Sequence, residues 1–459
     1  MKTNILKYTK MAILAASILP LVTMAQTLDK EFYQRPSYWR PYDQRGINVF
    51  ETSKVPDSIP FEGPRVRFGA GFTQQFQNLK HKNTALNGQT TNKLYPLTSG
   101  FMTAQANLFT DIQLADGIRL NVTTYLSTRH HNEAWVKGGY IQFDKLPFKG
   151  KFWTDLMNIT TIKVGHMEIN YGDAHFRRSD GGHTAYNPFM ESYIMDAFAT
   201  EIGGEVYVQK NGLFGMFGMT NGMIKGSIDS ATPGVIIVNG ERKLIDENTS
   251  MQPSIYVKGG IDKKLADRLR FRVSGTFYHN SSNAGSGLTL YGGDRAGSNY
   301  QNVMETAPNY PTLPASTAIA FSGRLNPNFS KKIDAAMLNG FLKVAGLELF
   351  GTFETAKGRT KTETDDRKAT QLAGEVVYRF GAAENLYAGV RYNTVKARLA
   401  GIANDVKVNR MALAGGWFVT RNVLMKGEYV IQKYNDFPAT DYRNGGKFNG
   451  FVIEAVVGF

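Results

Sequence analysis

The feature that most constrains this chain is strict two-residue alternation, clearest in "RLRFRVSGTF", Arg268 to Phe277. Leu269, Phe271, Val273, Gly275 and Phe277 fall on one side, and Arg268, Arg270, Arg272, Ser274 and Thr276 on the other. Successive side chains of a strand point to opposite faces, so this segment has one oily face and one cationic face. A helix would mix the two. "RVRFGAGFTQQF" repeats the pattern with Val66, Phe68, Ala70 and Phe72 against Arg65, Arg67 and Thr73. "GIRLNVTTYLS" sets Ile118, Leu120, Val122, Thr124 and Leu126 against Arg119, Asn121, Thr123 and Tyr125.

Segments of this kind recur from Arg65 to the end, among them "WVKGGYIQF", "TTIKVGHMEI", "LELFGTFETA" and "VLMKGEYVIQKY". Each runs roughly 8–12 residues, enough for a tilted strand to cross a bilayer. Their connections alternate in length. "LADG" (114–117), "KNG" (210–212), "LAD" (265–267), "AGLE" (345–348), "GAAEN" (381–385) and "VTRN" (419–422) are short. Segments 77–100, 166–198, 223–252, 279–317, 357–369 and 435–449 are long and polar. Short turns at one end and long loops at the other describe a membrane barrel, with oily faces on lipid, polar faces on water and no unpaired edge. At about 25 residues per strand and connection, the reading is an all-β transmembrane antiparallel barrel of about 16 strands, between 14 and 18. After residue 25 no run of about 18 apolar residues occurs, which excludes a helical span.

The N-terminus points to export. Lys2, Lys7 and Lys10 precede "MAILAASILPLV" and then "TMAQ", a signal peptide over residues 1–25 cut after Ala25. Residues 26–64 carry prolines 36, 41, 56, 60 and 64. They read as an extended periplasmic segment whose aromatics, Phe32, Tyr33, Tyr38, Trp39 and Tyr42, pack on something, the lumen included. The barrel then takes residues 65–459. The chain's 459 residues include no cysteine, which removes disulfide and thiolate chemistry. The formal charge of +14 becomes about +11 once the three signal lysines leave. In an exported chain that surplus suits anionic lipid, lipopolysaccharide or anionic solutes rather than nucleic acid.

The closing stretch "FVIEAVVGF" alternates Phe451, Ile453, Ala455, Val457 and Phe459 against Val452, Glu454, Val456 and Gly458. It resembles the last strand of bacterial outer-membrane barrels, and the resemblance implies that Phe459 is read by the barrel-assembly machinery. "WFVTRNVLMKGEYVIQKYN" and "IKVGHMEINYGD" resemble porins of the Bacteroidetes-type outer membrane, distantly related to the phosphate-selective porins. That likeness covers 162–172 and 417–459 by motif and the rest of 65–459 by pattern. It implies a homotrimeric diffusion channel in the Gram-negative outer membrane, with a long third loop folded inward. The family's ring of basic phosphate ligands has no match here, so solute specificity does not carry over.

For such a channel the constriction candidate is loop 166–200, carrying Asp173, Arg177, Arg178, Asp180 and Glu191. Fixed opposite charges across a narrow lumen would filter solutes; the alternative is an ordinary solvated loop. Arg268, Arg270 and Arg272, joined by Arg119, Lys137 and Arg391, are candidates for a pore-lining anion track. The alternative is that they pair with wall carboxylates such as Glu375 or Glu454 and leave no field. Phe68, Tyr278, Trp417, Tyr429 and Phe459 are candidates for the interfacial aromatic girdles. His166, His175 and His183 match no metal-ligand spacing, and no serine, histidine and aspartate triad announces itself. The expected activity is passive diffusion of small hydrophilic solutes with a mild anion preference, without cofactor or catalysis. The competing expectation is a barrel with a closed lumen that docks a partner, with residues 29–50 as the plug.

Overall fold

The computed structural model describes residues 39–54, 60–84, 93–127, 134–222, 234–245, 252–281, 290–294, 296–306, 321–360 and 362–459. The signal segment 1–25 and the first part of the extended segment lie outside them.

Each barrel strand pairs antiparallel with its neighbours in chain order, and the ring closes when Arg65–Lys82 pairs with Lys447–Gly458. The short piece Gly100–Phe101 continues the line of Gln105–Ala115 along the same partner, Arg65–Lys82, which makes sixteen strands. Closure pairs every edge, which a barrel in lipid requires. A separate hairpin, Gly234–Val238 with Glu241–Ile245, stands outside the ring in the connection after Leu213–Thr220.

The connections segregate by end, but their lengths overlap: at the loop end 128–134, 360–366 and 399–404 are short, and the expected long loop 357–369 is corrected, since 357–359 and 367–369 extend the strands. Pairs of strands join at one end through residues 116–117, 211–212, 267–268, 345–346, 381–385 and 421–422. Asn211 and Gly212 both take positive φ, 55° and 82°, the backbone of a tight hairpin turn. The seventh connection at this end, 144–159, is longer and holds the helix Lys151–Met157. Loops 83–104, 169–199, 221–253 and 281–331 all leave from the opposite end.

Alternation sorts the side chains as water and lipid demand. In Leu269–Asn280, Val273 is 53% exposed and Phe277 43% exposed on the outside, while Arg272, Ser274 and Thr276 are buried inside. Val66, Phe68, Leu338, Leu372, Leu413 and Ile453 continue the outward apolar surface on other strands. Phe68, Trp417, Tyr429 and Phe459 also face out. Tyr278 does not: it is fully buried and donates to Glu201 Oε1 at 2.6 Å. Its even position puts it on the face of Arg272, so the girdle assignment is corrected by the alternation itself.

Candidate functional site: the occupied lumen

The barrel interior is largely filled by chain. Loop 169–199 passes from Thr160–Glu168 to Thr200–Lys210 through two short 3-10 turns, Ala174–Arg177 and Gly181–Tyr186. Ile169, Tyr171, Tyr186, Phe189, Met190, Ile194 and Met195 along it are buried, as are the charged groups Asp173, Arg177, Arg178, Asp180, Glu191 and Asp196. A solvated surface loop would leave such groups in water. Burying them without partners costs several kcal/mol each, so the partners decide the arrangement.

Asp173 has the densest set. It accepts from Arg272 Nε and Nη2, both at 2.8 Å, and from Ser274 Oγ at 2.7 Å, and pairs with Lys258 Nζ at 2.8 Å. Burial pushes its carboxyl up, but Lys258 and Arg272 outweigh that and hold it well below the usual carboxylate range. Glu51, from the N-terminal segment, joins the same two cations: Arg272 Nη1 at 2.7 Å and Lys258 Nζ at 3.1 Å. Those cations overcome desolvation and bring Glu51 down to about 2. One cluster therefore ties wall, loop and N-terminal segment together.

The other loop charges are similarly committed. Arg177 reaches Glu375 at 3.1 Å, and Glu375 also accepts from Arg391 Nε at 2.9 Å and from the Tyr193 hydroxyl at 3.0 Å. Arg178 pairs with Asp180 at 2.7 Å and with Asp196 at 2.8 Å. Lys137 spans from the wall to Asp180 at 3.0 Å and to Asp294 of another loop. Burial and the nearby Asp180 push Asp294 up to about 6, against the pull of Lys137. Glu191 takes Arg324 at 2.6 Å.

The cationic candidates thus divide. Arg270 and Arg272 point inward, but Arg270 pairs with Asp262 at 2.7 Å and Arg272 with Asp173, Glu51 and Asp262. Arg119 lies 3.9 Å from Asp144, and Arg391 is held by Glu375. Arg268 sits in the 267–268 turn and is exposed there, outside the wall; hairpin geometry places it, and its membership of an inward row is corrected. The carboxylates that answer these cations come from the loop (Asp173), the N-terminal segment (Glu51), the 144–159 connection (Asp144) and the wall itself (Asp262 and Glu375). Phe459, at the closing seam, exchanges backbone hydrogen bonds with Ala70 at 2.9 and 3.0 Å.

Residues 39–54 enter the turn end. Tyr42 stacks on Phe109 at 3.9 Å and donates to Asp111 at 3.0 Å, and Asn48 donates to Glu348 at 2.6 Å. Two spaces remain beside them. A cavity of about 220 Å³ lies against the wall from Gln105–Ala115 to Thr200–Lys210, lined by Tyr42, Phe109, Tyr140, Lys163, Glu168 and Tyr207 among others. Gly138 and Gly139 bring bare backbone to its edge. A second space of about 210 Å³ opens at the turn end between Asn48, Arg270, Lys343, Arg379 and Glu384. Among the described residues no group of three or more His, Asp or Glu side chains could hold a metal ion.

Lys258, Glu51, Lys163 and Glu168 were not singled out from sequence. Lys163 carried a signal, because Ile162 and Val164 flank it in "TTIKVGHMEI" and alternation turns it inward.

No protein-family model matches the chain, and no curated protein does. Among solved structures it is similar to in-vitro folded OmpT, an outer membrane protein of Vibrio cholerae, at 10% identity. That match covers 87% of this chain and 99% of the other, with a TM-score of 0.48. The outer membrane channel DcaP of Acinetobacter baumannii is similar at 12% identity, over 86% of this chain and 98% of that one, with a TM-score of 0.45. Pseudomonas putida OprB at high pH matches at 10% identity, over 86% and 94%, with a TM-score of 0.47.

Proposed function

We propose that this protein is an outer-membrane diffusion channel for small hydrophilic solutes, narrowed by loop 169–199 and by residues 39–54. The observation that carries the reading is the pairing of an apolar outer surface with an inner wall of charged and polar groups that still borders open space. A barrel built only as a support would gain by filling its interior with apolar side chains, since paired buried charges add little net stability. Selection in this reading is by size first. The anion preference is mild, because Arg272, Arg391 and Lys137 are spent on ion pairs, and at the turn-end space Arg270, Lys343 and Arg379 meet Asp262, Glu384 and Glu348. Homotrimer assembly, delivery by a signal peptide over 1–25 and recognition of Phe459 by the assembly machinery belong to the same reading.

A closed, partner-docking barrel is the second reading, favoured by the depth to which residues 39–54 are anchored. Single-channel conductance and reversal potential in a planar bilayer under a salt gradient separate the two. Steady conductance with a weakly anion-favouring potential supports the channel, and deleting residues 29–50 then enlarges it. Cation preference removes the anion claim and keeps the channel. Conductance that appears only after the deletion favours the plugged barrel.

A further inference from the structure

Most charged side chains around the 220 Å³ cavity are already engaged. Arg40 donates to the carbonyls of Gly46 and Phe176, Asp111 takes Tyr42 and Asn121, and Glu51 and Lys137 sit in the clusters above. Glu205, directly across from Lys163 in register, accepts from Tyr207, from Tyr256 at 2.9 Å and from the Asn170 amide at 3.0 Å. Two groups stand apart. Lys163 has no hydrogen bond or ion pair among the described residues; its ammonium rests between the faces of Tyr140 and Tyr207, 5.1 and 4.9 Å from their centroids. Glu168 has a buried Oε1 with no hydrogen-bond donor.

The neighbour of that oxygen makes the deficit sharper. Lys258 Nζ donates to Asn170 Oδ1 at 2.7 Å, which fixes that atom as an acceptor. His175 Nε2, 2.8 Å from the same oxygen, must then carry the proton. Burial and the charge of Lys258 keep His175 well below its ordinary range, hence neutral. Its Nδ1 is left with a lone pair, 3.6 Å from Glu168 Oε1. Two acceptors face one another, and among the described residues no donor reaches either.

We propose that the cavity binds a small zwitterion, a peptide of two or three residues, with its ammonium between Glu168 and His175 and its carboxylate on Lys163. Lys163 and Glu168 are five positions apart on one strand, about 16 Å between their backbones. An extended tripeptide spans about 10 Å, which leaves the Lys163 and Glu168 side chains and their hydrogen bonds to close the remaining distance. The rings of Tyr42, Phe109, Tyr140 and Tyr207 offer apolar faces to its body. The ligand lies with its amino end toward the loops and its carboxyl end toward the turns. This deepens the diffusion reading and rests on it for its biological meaning, but the site itself needs no conduction.

Calorimetric titration of the full mature chain in detergent with trialanine, N-acetyl-trialanine and trialanine amide tests it. Trialanine should bind about tenfold tighter than either capped form, since each cap removes one charge-assisted contact. Lys163→Met should erase the penalty for the amide and leave that for the acetyl form; Glu168→Gln should do the reverse. Equal binding of all three, tight binding of the acetyl form alone, or no binding overturns the proposal. Bilayer conductance of the same preparation keeps the two questions apart. An open channel that ignores trialanine sinks the site alone, and binding without conductance sinks the channel reading alone.

Discussion

The two sides of the lumen are built on opposite terms. Along Ser254–Ala266, Leu269–Asn280 and Arg367–Phe380, wall cations and carboxylates meet complementary charges on loop 169–199 and the N-terminal segment, and the interior closes. Along Gln105–Ala115, Trp135–Phe143 and Thr160–Glu168, aromatic rings face a cavity, and although Lys137 is tied to Asp180, Lys163 and Glu168 lack the engagement found elsewhere. The lesson is that charge on the inner wall does not by itself make a selective path. On one side it fastens the contents of the barrel; on the other it is left for a solute.

Breaking the fastened side should have the largest effect. Arg272→Met leaves two buried carboxylates, Asp173 and Glu51, sharing Lys258 alone and should cost about 3–5 kcal/mol, read as a lowered denaturant midpoint. It should also raise single-channel conductance as the segment detaches; unchanged stability and conductance would mean the cluster fastens nothing. Arg177→Met should cost less, about 1–3 kcal/mol, because Glu375 keeps Arg391 and Tyr193. Acid offers a graded version of the same test. Glu51 is depressed to about 2, so its contribution is complete above the unfolded value of 4.5 and is lost as pH falls from there toward 2. The step due to Glu51 should therefore come below pH 5, separate from any step near pH 6 where Asp294 titrates, and no change below pH 5 would mean that Glu51 does not fasten the segment. The smallest change belongs to the open side: Lys163→Met forfeits two ring contacts and should shift stability by about 1 kcal/mol at most. A loss equal to that of Arg272→Met would erase the distinction between the sides.

Much of the wall was legible from the chain alone. Two-residue alternation gives the strand faces, and the alternation of connection lengths gives both ends and a count near sixteen. Tyr278 shows that the rule outperforms intuition about aromatic residues, since its parity places it inside. The interior was far less legible. Arg272 meets Asp173 and Glu51, groups 99 and 221 positions away. Neither neighbour is encoded by local periodicity, because loops that fold inward obey no repeat. The free pair Lys163 and Glu168 could not be recognised as free until the commitments of every other nearby charge were known.

The seam between Arg65–Lys82 and Lys447–Gly458 also bears on time. The first strand of the ring emerges early and cannot find one of its two partners until the last residues of the chain arrive. Pairings this distant in sequence are slow to form, and an oily edge left waiting invites other chains. A shortened C-terminus would thus be punished twice: the ring stays open, and the edge that should have been covered is exposed for as long as the protein exists.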